Sequence, residues 1–284
     1  MSNVEKILEK INYIPPFPLT VSRVLHMLRD PEVNPEAVAE AVKFDQALTT
    51  NVLRYCNSSY FGIRRTISNL KEAIIYIGLS ELKKIIVRSG TRQYFEKRKS
   101  GYEQNTGELW THVLASSILA EKIKVLIVES NTDNVFIAAL LHDIGKLVLS
   151  EFVEDFSGKI FNLIDEKGLS FLEAEKSVLG IDHADLGAVI LEKWEFPEDI
   201  ITAVKKHHTH FEDEDSALDN IVRLSDSMAM TMGYGTSVDG LAYHGFSDII
   251  KKYDIKEDTL EKIMSDSLED ITKIESDYGF SKES

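Results

Sequence analysis

The adjacent residues His142 and Asp143 constrain this chain most, because they interrupt an otherwise apolar segment that ends in a glycine, over residues 139–146. Burying an imidazole beside a carboxylate costs solvation free energy unless something compensates for it. A cation shared by the two side chains is the natural compensation, and it needs further ligands from elsewhere in the chain. The fold is therefore expected to bring distant histidine and acidic residues into one pocket.

Further histidine and aspartate side chains are available outside this segment. Asp226 lies in a predicted apolar helix, where a lone carboxylate is costly unless it is paired or binds metal. Imidazole nitrogen combined with carboxylate oxygen favours transition metals such as Fe, Mn or Zn over Ca²⁺. The sequence therefore predicts a site for one or two divalent ions, although histidines packed in a core without metal remain an alternative. The possible further ligands are His112, His183, His207, His208 and Asp226.

The spacing of apolar residues predicts an all-α protein, since no segment alternates with period two long enough to indicate a sheet. Asn34-Pro35 is a favourable helix start, and Gly78 ends a helix. The polar segment 99–105 predicts a boundary between an N-terminal helical domain (1–100) and a second helical domain (101–284). The other predicted helices lie near 3–11, 19–29, 45–56, 70–77, 80–95, 106–128, 133–150, 156–167, 170–178, 183–193, 197–207, 216–232 and 257–277.

Charge is distributed unevenly along the chain. Residues 1–100 carry 16 basic and 10 acidic side chains, whereas the whole chain has a net charge of −15. Overall acidity argues against non-specific nucleic-acid binding by the whole chain. On the predicted helix 80–95, Lys84, Arg88 and Arg92 recur every four residues, followed by a basic run at 97–99. This face is interpreted either as solvated or as a docking face for an acidic protein or nucleic acid.

The sequence also bears on the cellular compartment. No apolar run approaches the roughly 20 residues of a membrane helix, and the N-terminal residues lack the pattern of a secretory signal. A single cysteine, Cys56, cannot form an internal disulfide and is typical of a reducing compartment. These features predict a cytoplasmic protein without membrane contact.

The six residues 141–146, Leu-His-Asp-Ile-Gly-Lys, resemble the signature of the HD superfamily, whose enzymes are mostly metal-dependent phosphohydrolases. The wider pattern, over roughly residues 7–232, resembles the HDOD (HD-related output domain) family of bacterial signalling proteins. The segments that carry this resemblance are 14–18, 44–48, 57–62, 73–78, 109–112, 180–188, 194–197 and 207–208.

The resemblance implies an N-terminal helical bundle subdomain packed on an HD-like helical domain. Many HDOD domains have lost metal ligands, but this chain keeps a set similar to the bi- or trinuclear site of HD-GYP cyclic-dinucleotide phosphodiesterases, which implies one to three ions. Lys146 matches their lysine next to the scissile phosphate. The residues after His208 read Thr209-His210-Phe211 instead of Gly-Tyr-Pro, so the resemblance does not extend to cyclic di-GMP as substrate. The implied ligands are Glu108, His112, His142, Asp143, His183, His207, His208 and Asp226.

Two functions follow from these expectations. The favoured one is a signalling output or regulatory module, whose metal is structural or ligand-sensing and whose surface binds a signalling protein. The alternative is a metal-dependent phosphohydrolase acting on a nucleotide or another phosphate ester. In that case Asp143 positions the nucleophile, and Lys146, one helical turn after His142, stabilises charge on the phosphoryl group.

Overall fold

The computed structural model describes residues 3–95, 102, 107–127, 132, 134–235 and 246–277. These residues form fourteen α-helices and no strand, which confirms the predicted all-α class. None of the described helices combines the length and apolar character that crossing a bilayer requires. The helices are α1 (Asn3–Lys10), α2 (Leu19–Met27), α3 (Pro35–Lys43), α4 (Gln46–Cys56), α5 (Leu70–Phe95), α6 (Glu108–Ile123), α7 (Val135–Leu141), α8 (Lys146–Lys167), α9 (Phe171–Leu179), α10 (His183–Lys193), α11 (Glu198–Lys206), α12 (Ala217–Ala229), α13 (Phe246–Lys252) and α14 (Glu257–Asp277).

The chain divides into two compact units. The first unit comprises the described residues up to Ile14 together with those from Phe95 to Leu268. The second unit runs from Pro15 to Tyr94 and includes the last part of α14, from Glu269 onwards. The predicted domain boundary between residues 100 and 101 lies outside the described residues.

The first unit is built around α6, which contacts both α7 and α12. Apolar side chains cover α6 nearly all round, and a helix of that kind is stable only when it is enclosed by other helices. A capping box fixes the start of α12, where the Ser216 hydroxyl accepts from the Asp219 N–H and the Asp219 carboxylate accepts from the Ser216 N–H. α6 and α12 therefore lie against each other in the core of the first unit.

The predicted helices near 133–150 and 156–167 are wrong in their boundaries. The chain leaves the helix after Leu141 and re-enters one at Lys146, which then continues unbroken to Lys167. The two helices are joined at Gly145, where a Cβ atom would lie 2.0 Å from the carbonyl oxygen of His183. Only glycine fits there, so the start of α8 packs closely against the backbone of α10.

In the second unit, α5 is divided by Gly78, whose φ of 76° lies in the left-handed region. This matches the predicted helix end at that glycine. The interpretation of Arg88 as part of an exposed basic face is wrong, because its side chain is 2% exposed and donates to the Tyr55 hydroxyl at 2.9 Å. Lys84 pairs with Glu81 at 3.3 Å. The basic run at 97–99 lies outside the described residues.

Candidate metal centre

Seven of the eight predicted ligands come together in the first unit. They come from segments that are distant in sequence: α6, the turn after α7, the first residue of α10, the turn after α11 and the second half of α12. Their side chains are at most 3% exposed. These seven residues are His112, His142, Asp143, His183, His207, His208 and Asp226.

One oxygen of Asp143 faces a first group of ligand atoms. Its Oδ2 lies 3.5 Å from Nε2 of both His112 and His142. The two Nε2 atoms are 3.1 Å apart. Asp226 flanks this pair, with its Oδ1 atom 3.1 Å from His112 Nε2 and 3.6 Å from His142 Nε2. These four side chains offer two nitrogens and two carboxylate oxygens within a few ångströms of one another.

The other oxygen of Asp143 faces a second group. Its Oδ1 lies 3.6 Å from Nε2 of both His183 and His207. His208 completes this group, so that ligand atoms of Asp143, His183, His207 and His208 all lie within 4.8 Å of one another. The second group also reaches Asp226, whose Oδ2 lies 3.7 Å from His208 Nδ1. Asp143 therefore joins both groups, one through each oxygen.

Hydrogen bonds at the outer nitrogen fix four of the imidazole rings. In each ring Nδ1 faces an acceptor, which places the proton there and leaves the lone pair of Nε2 directed into the centre. This arrangement is typical of histidines that bind metal through Nε2. The acceptors are the Tyr234 carbonyl for His112 (3.0 Å), the Ala139 carbonyl for His142 (2.7 Å), the Val204 carbonyl for His207 and Glu175 Oε2 for His183 (2.7 Å).

The ligand atoms that have no hydrogen-bond partner fit a divalent cation. Among the described residues, Asp143 Oδ1, His183 Nε2 and His207 Nε2 are buried without a hydrogen-bond partner. The Nε2 lone pairs of His112 and His142 point at each other across 3.1 Å, which is repulsive unless a proton or a cation lies between them. A mixed set of imidazole nitrogens and carboxylate oxygens suits Fe, Mn or Zn.

Both carboxylates in the centre are ionised at neutral pH. Burial raises the pKa of Asp143, but the Lys146 ammonium and the surrounding histidines outweigh it and hold that pKa well below its usual range. Burial likewise raises the pKa of Asp226, and the adjacent His112 and His142 rings more than reverse this effect. Ionised carboxylates are the form that a cation binds.

The histidines fall into two electrostatic classes. Burial and neighbouring histidines lower the pKa of His207 and lower that of His208 further, so these rings are neutral and available as ligands. Burial also opposes protonation of His142 and His183, but adjacent carboxylates outweigh it and raise both pKa values. Protons therefore compete with a metal more strongly at these two rings than at His207 and His208, which makes metal binding dependent on pH.

Lys146 lies beside the carboxylate that joins the two groups. Its ammonium nitrogen is 2.8 Å from Asp143 Oδ2, and its side chain is 1% exposed. The same nitrogen lies 5.6 Å from the centre of the Tyr102 ring. The start of α8 thus places a fixed positive charge at the edge of the candidate metal centre.

Glu108 is not in either group of ligand atoms among the described residues. It is half-buried on the first turn of α6, one turn before His112. Sequence reasoning instead missed Glu175, a fully buried residue whose carboxylate accepts from His183 Nδ1 and from the Tyr102 hydroxyl. The signal was present, because Glu175 lies four residues after Phe171 on the buried face of α9, where a lone acid needs partners.

This chain is similar in sequence to a known family and to a known protein. The sequence matches the HDOD domain family over residues 14–210. An uncharacterized protein of Treponema pallidum (strain Nichols) is 23% identical over 208 residues, which cover 71% of this chain. The match spans 39% of that relative's length.

Solved structures share the fold over nearly the whole chain. An HDOD domain protein of unknown function from Geobacter sulfurreducens has a TM-score of 0.75 and 25% identity, covering 96% of this chain and 95% of its own. A candidate phosphohydrolase from Shewanella amazonensis SB2B has a TM-score of 0.71 and 19% identity, covering 97% and 98%. A candidate metal-dependent phosphohydrolase from the same organism has a TM-score of 0.62 and 19% identity, covering 98% and 100%.

Proposed function

The chain belongs to the HDOD family, and on that premise we propose that it is a metal-binding regulatory module of bacterial signal transduction. Bound ions hold the helices of the first unit together, and the protein surface passes the signal to a protein partner in the cytoplasm. The observation that carries this proposal is the burial of the centre, whose ligand side chains are at most 3% exposed. Ligands from distant segments that are buried together in this way couple metal binding to the folding of the unit that contains them.

A second candidate function, metal-dependent hydrolysis of a nucleotide or another phosphate ester, is favoured by Lys146. This buried ammonium, held 2.8 Å from Asp143 Oδ2, is suited to stabilise negative charge on an oxygen close to the centre. Asp143 directs one oxygen to each group and so keeps the two sets of ligands in register. A bound divalent ion supplies Lewis acidity and a water of lowered pKa.

One experiment separates the two functions. The protein is purified without added metal, its metal content is measured by mass spectrometry, and it is assayed with Fe²⁺, Mn²⁺ or Zn²⁺ on bis(p-nitrophenyl) phosphate and a panel of nucleotides. Bound metal without turnover supports the regulatory module. Turnover that Lys146→Met abolishes while metal content is retained supports the phosphohydrolase. A protein that binds none of these metals overturns both.

If the protein is a regulatory module, the presence of bound metal must also affect what the protein does in the cell. We expect a strain carrying Asp143→Ala to show the same phenotype as a strain lacking the gene, at normal protein abundance. A wild-type phenotype in the Asp143→Ala strain would show that the bound metal has no part in the output.

A further inference from the structure

We propose that Arg223 is a positioning residue that holds the adjacent ligands His207 and His208 in the geometry of the second group. This inference rests on the proposed metal binding and adds a residue that touches neither the metal nor its ligands directly. The two histidines follow the last turn of α11, between Lys206 and Thr209. Adjacent side chains in such a turn converge on one ion only when the backbone around them is fixed.

Arg223 contacts the turn on both sides of the histidine pair. Its Nη2 atom donates to the carbonyl oxygen of Lys206 at 3.1 Å and to the hydroxyl oxygen of Thr209 at 3.2 Å. Within the turn, the Thr209 N–H also donates to the Lys206 carbonyl at 2.9 Å. One guanidinium therefore bridges the residue before His207 and the residue after His208.

The guanidinium is itself anchored. Both of its terminal nitrogens lie 3.2 Å from Asp215 Oδ2, which also accepts from the Glu212 N–H at 3.0 Å. The other oxygen of Asp215 accepts from the Lys206 ammonium at 2.8 Å. Arg223 and Asp215 are only 2% and 4% exposed, so the ion pair between them is shielded from solvent screening, whereas the Lys206 side chain is 35% exposed.

The network connects the turn to a helix that carries another candidate ligand. Arg223 and Asp226 are three residues apart on α12 and therefore lie on neighbouring positions of its surface. Fixing the turn to Arg223 thus fixes His208 relative to Asp226, whose Oδ2 lies 3.7 Å from His208 Nδ1. The planar fork of arginine makes these bonds at once, which a lysine ammonium cannot do.

In the test, metal-free Arg223→Lys and metal-free wild-type protein are each titrated with Zn²⁺. Calorimetry measures the binding at each step. His207→Ala and His112→Ala identify which binding step belongs to the second and which to the first group. We expect Arg223→Lys to weaken the step assigned to the second group by about 10- to 100-fold, the range found for residues behind metal ligands, and to leave the other step unchanged. Amide hydrogen exchange at residues 206–209 should also be faster in the metal-free variant.

Arg88→Lys is the matched control, because Arg88 is another arginine that is 2% exposed, in the second unit. It should lower stability and leave both binding steps unchanged. Equal weakening of both steps by Arg223→Lys, or no change in either, would overturn the inference. Should Arg223→Lys not fold, Asp215→Asn provides the same comparison. A wild-type chain that binds none of Zn²⁺, Mn²⁺ and Fe²⁺ contradicts the proposed function, and unchanged exchange at 206–209 contradicts the role of Arg223 separately.

Discussion

Both units bury charged side chains, but they satisfy them differently. In the second unit the Arg88 guanidinium donates from Nη1 to the Tyr55 hydroxyl and lies 4.4 Å from the centre of that ring, so one side chain partners the charge in two ways. In the first unit, Asp143 Oδ1 and the Nε2 atoms of His183 and His207 have no hydrogen-bond partner among the described residues. The difference lies in the arrangement, because the atoms of the first unit face one another around a shared carboxylate, as the ligands of a cation do.

The largest effect is expected from Asp143→Ala. Because this carboxylate faces both groups, its loss should reduce the metal content of the purified protein to less than about a tenth of the wild-type value. Mass spectrometry after gel filtration measures it. Asp45→Ala, which removes the N-cap of α4 in the second unit, should cost about 1 kcal/mol and leave metal content unchanged. Full metal retention by Asp143→Ala would contradict the inference that the buried groups of the first unit, unlike those of the second, hold a metal.

Adding metal to the metal-free protein should stabilise the first unit. A ligand at 100 times its dissociation constant stabilises the folded state by about 2.7 kcal/mol. For a chain of 284 residues that corresponds to roughly 4–5 °C in Tm, which differential scanning calorimetry resolves. Hydrogen exchange should slow most in α6, α7 and α12, and equal slowing in α3 and α4 would contradict a centre confined to the first unit.

Arg88→Lys should destabilise the second unit without affecting metal. The lysine keeps the charge but loses the guanidinium geometry over Tyr55, and hydrogen bonds to charged groups are worth about 1.5–3 kcal/mol. Urea denaturation should therefore show a loss of about 2 kcal/mol with unchanged metal content. Loss of metal in this variant would mean that the two buried clusters are coupled rather than independent.

The fold class and most of the candidate ligands could be predicted from the sequence, because both follow from local patterns of residues. Helical periodicity predicted the fold class, and the cost of burying His142 beside Asp143 predicted a shared cation and distant ligands. The close approach of Gly145 to the backbone of α10 could not be predicted, since it joins residues of two different helices. Arg88 also escaped prediction, because helical spacing alone does not show that Tyr55 from α4 encloses it.

Glu175→Gln should have the smallest effect. It tests whether a residue that only hydrogen-bonds to a ligand affects metal affinity without affecting stability. The Glu175 carboxylate orients His183 through Nδ1 at 2.7 Å, and a neutral amide would hold the ring with less electron donation to Nε2. We expect metal affinity to fall by about tenfold, measured by competition with a chelator, with little change in Tm. Glu173→Gln is the matched control on α9, because that residue belongs to the capping box of the helix and faces solvent. Equal affinities for the two variants would show that Glu175 serves the fold alone, like Arg88 in the second unit.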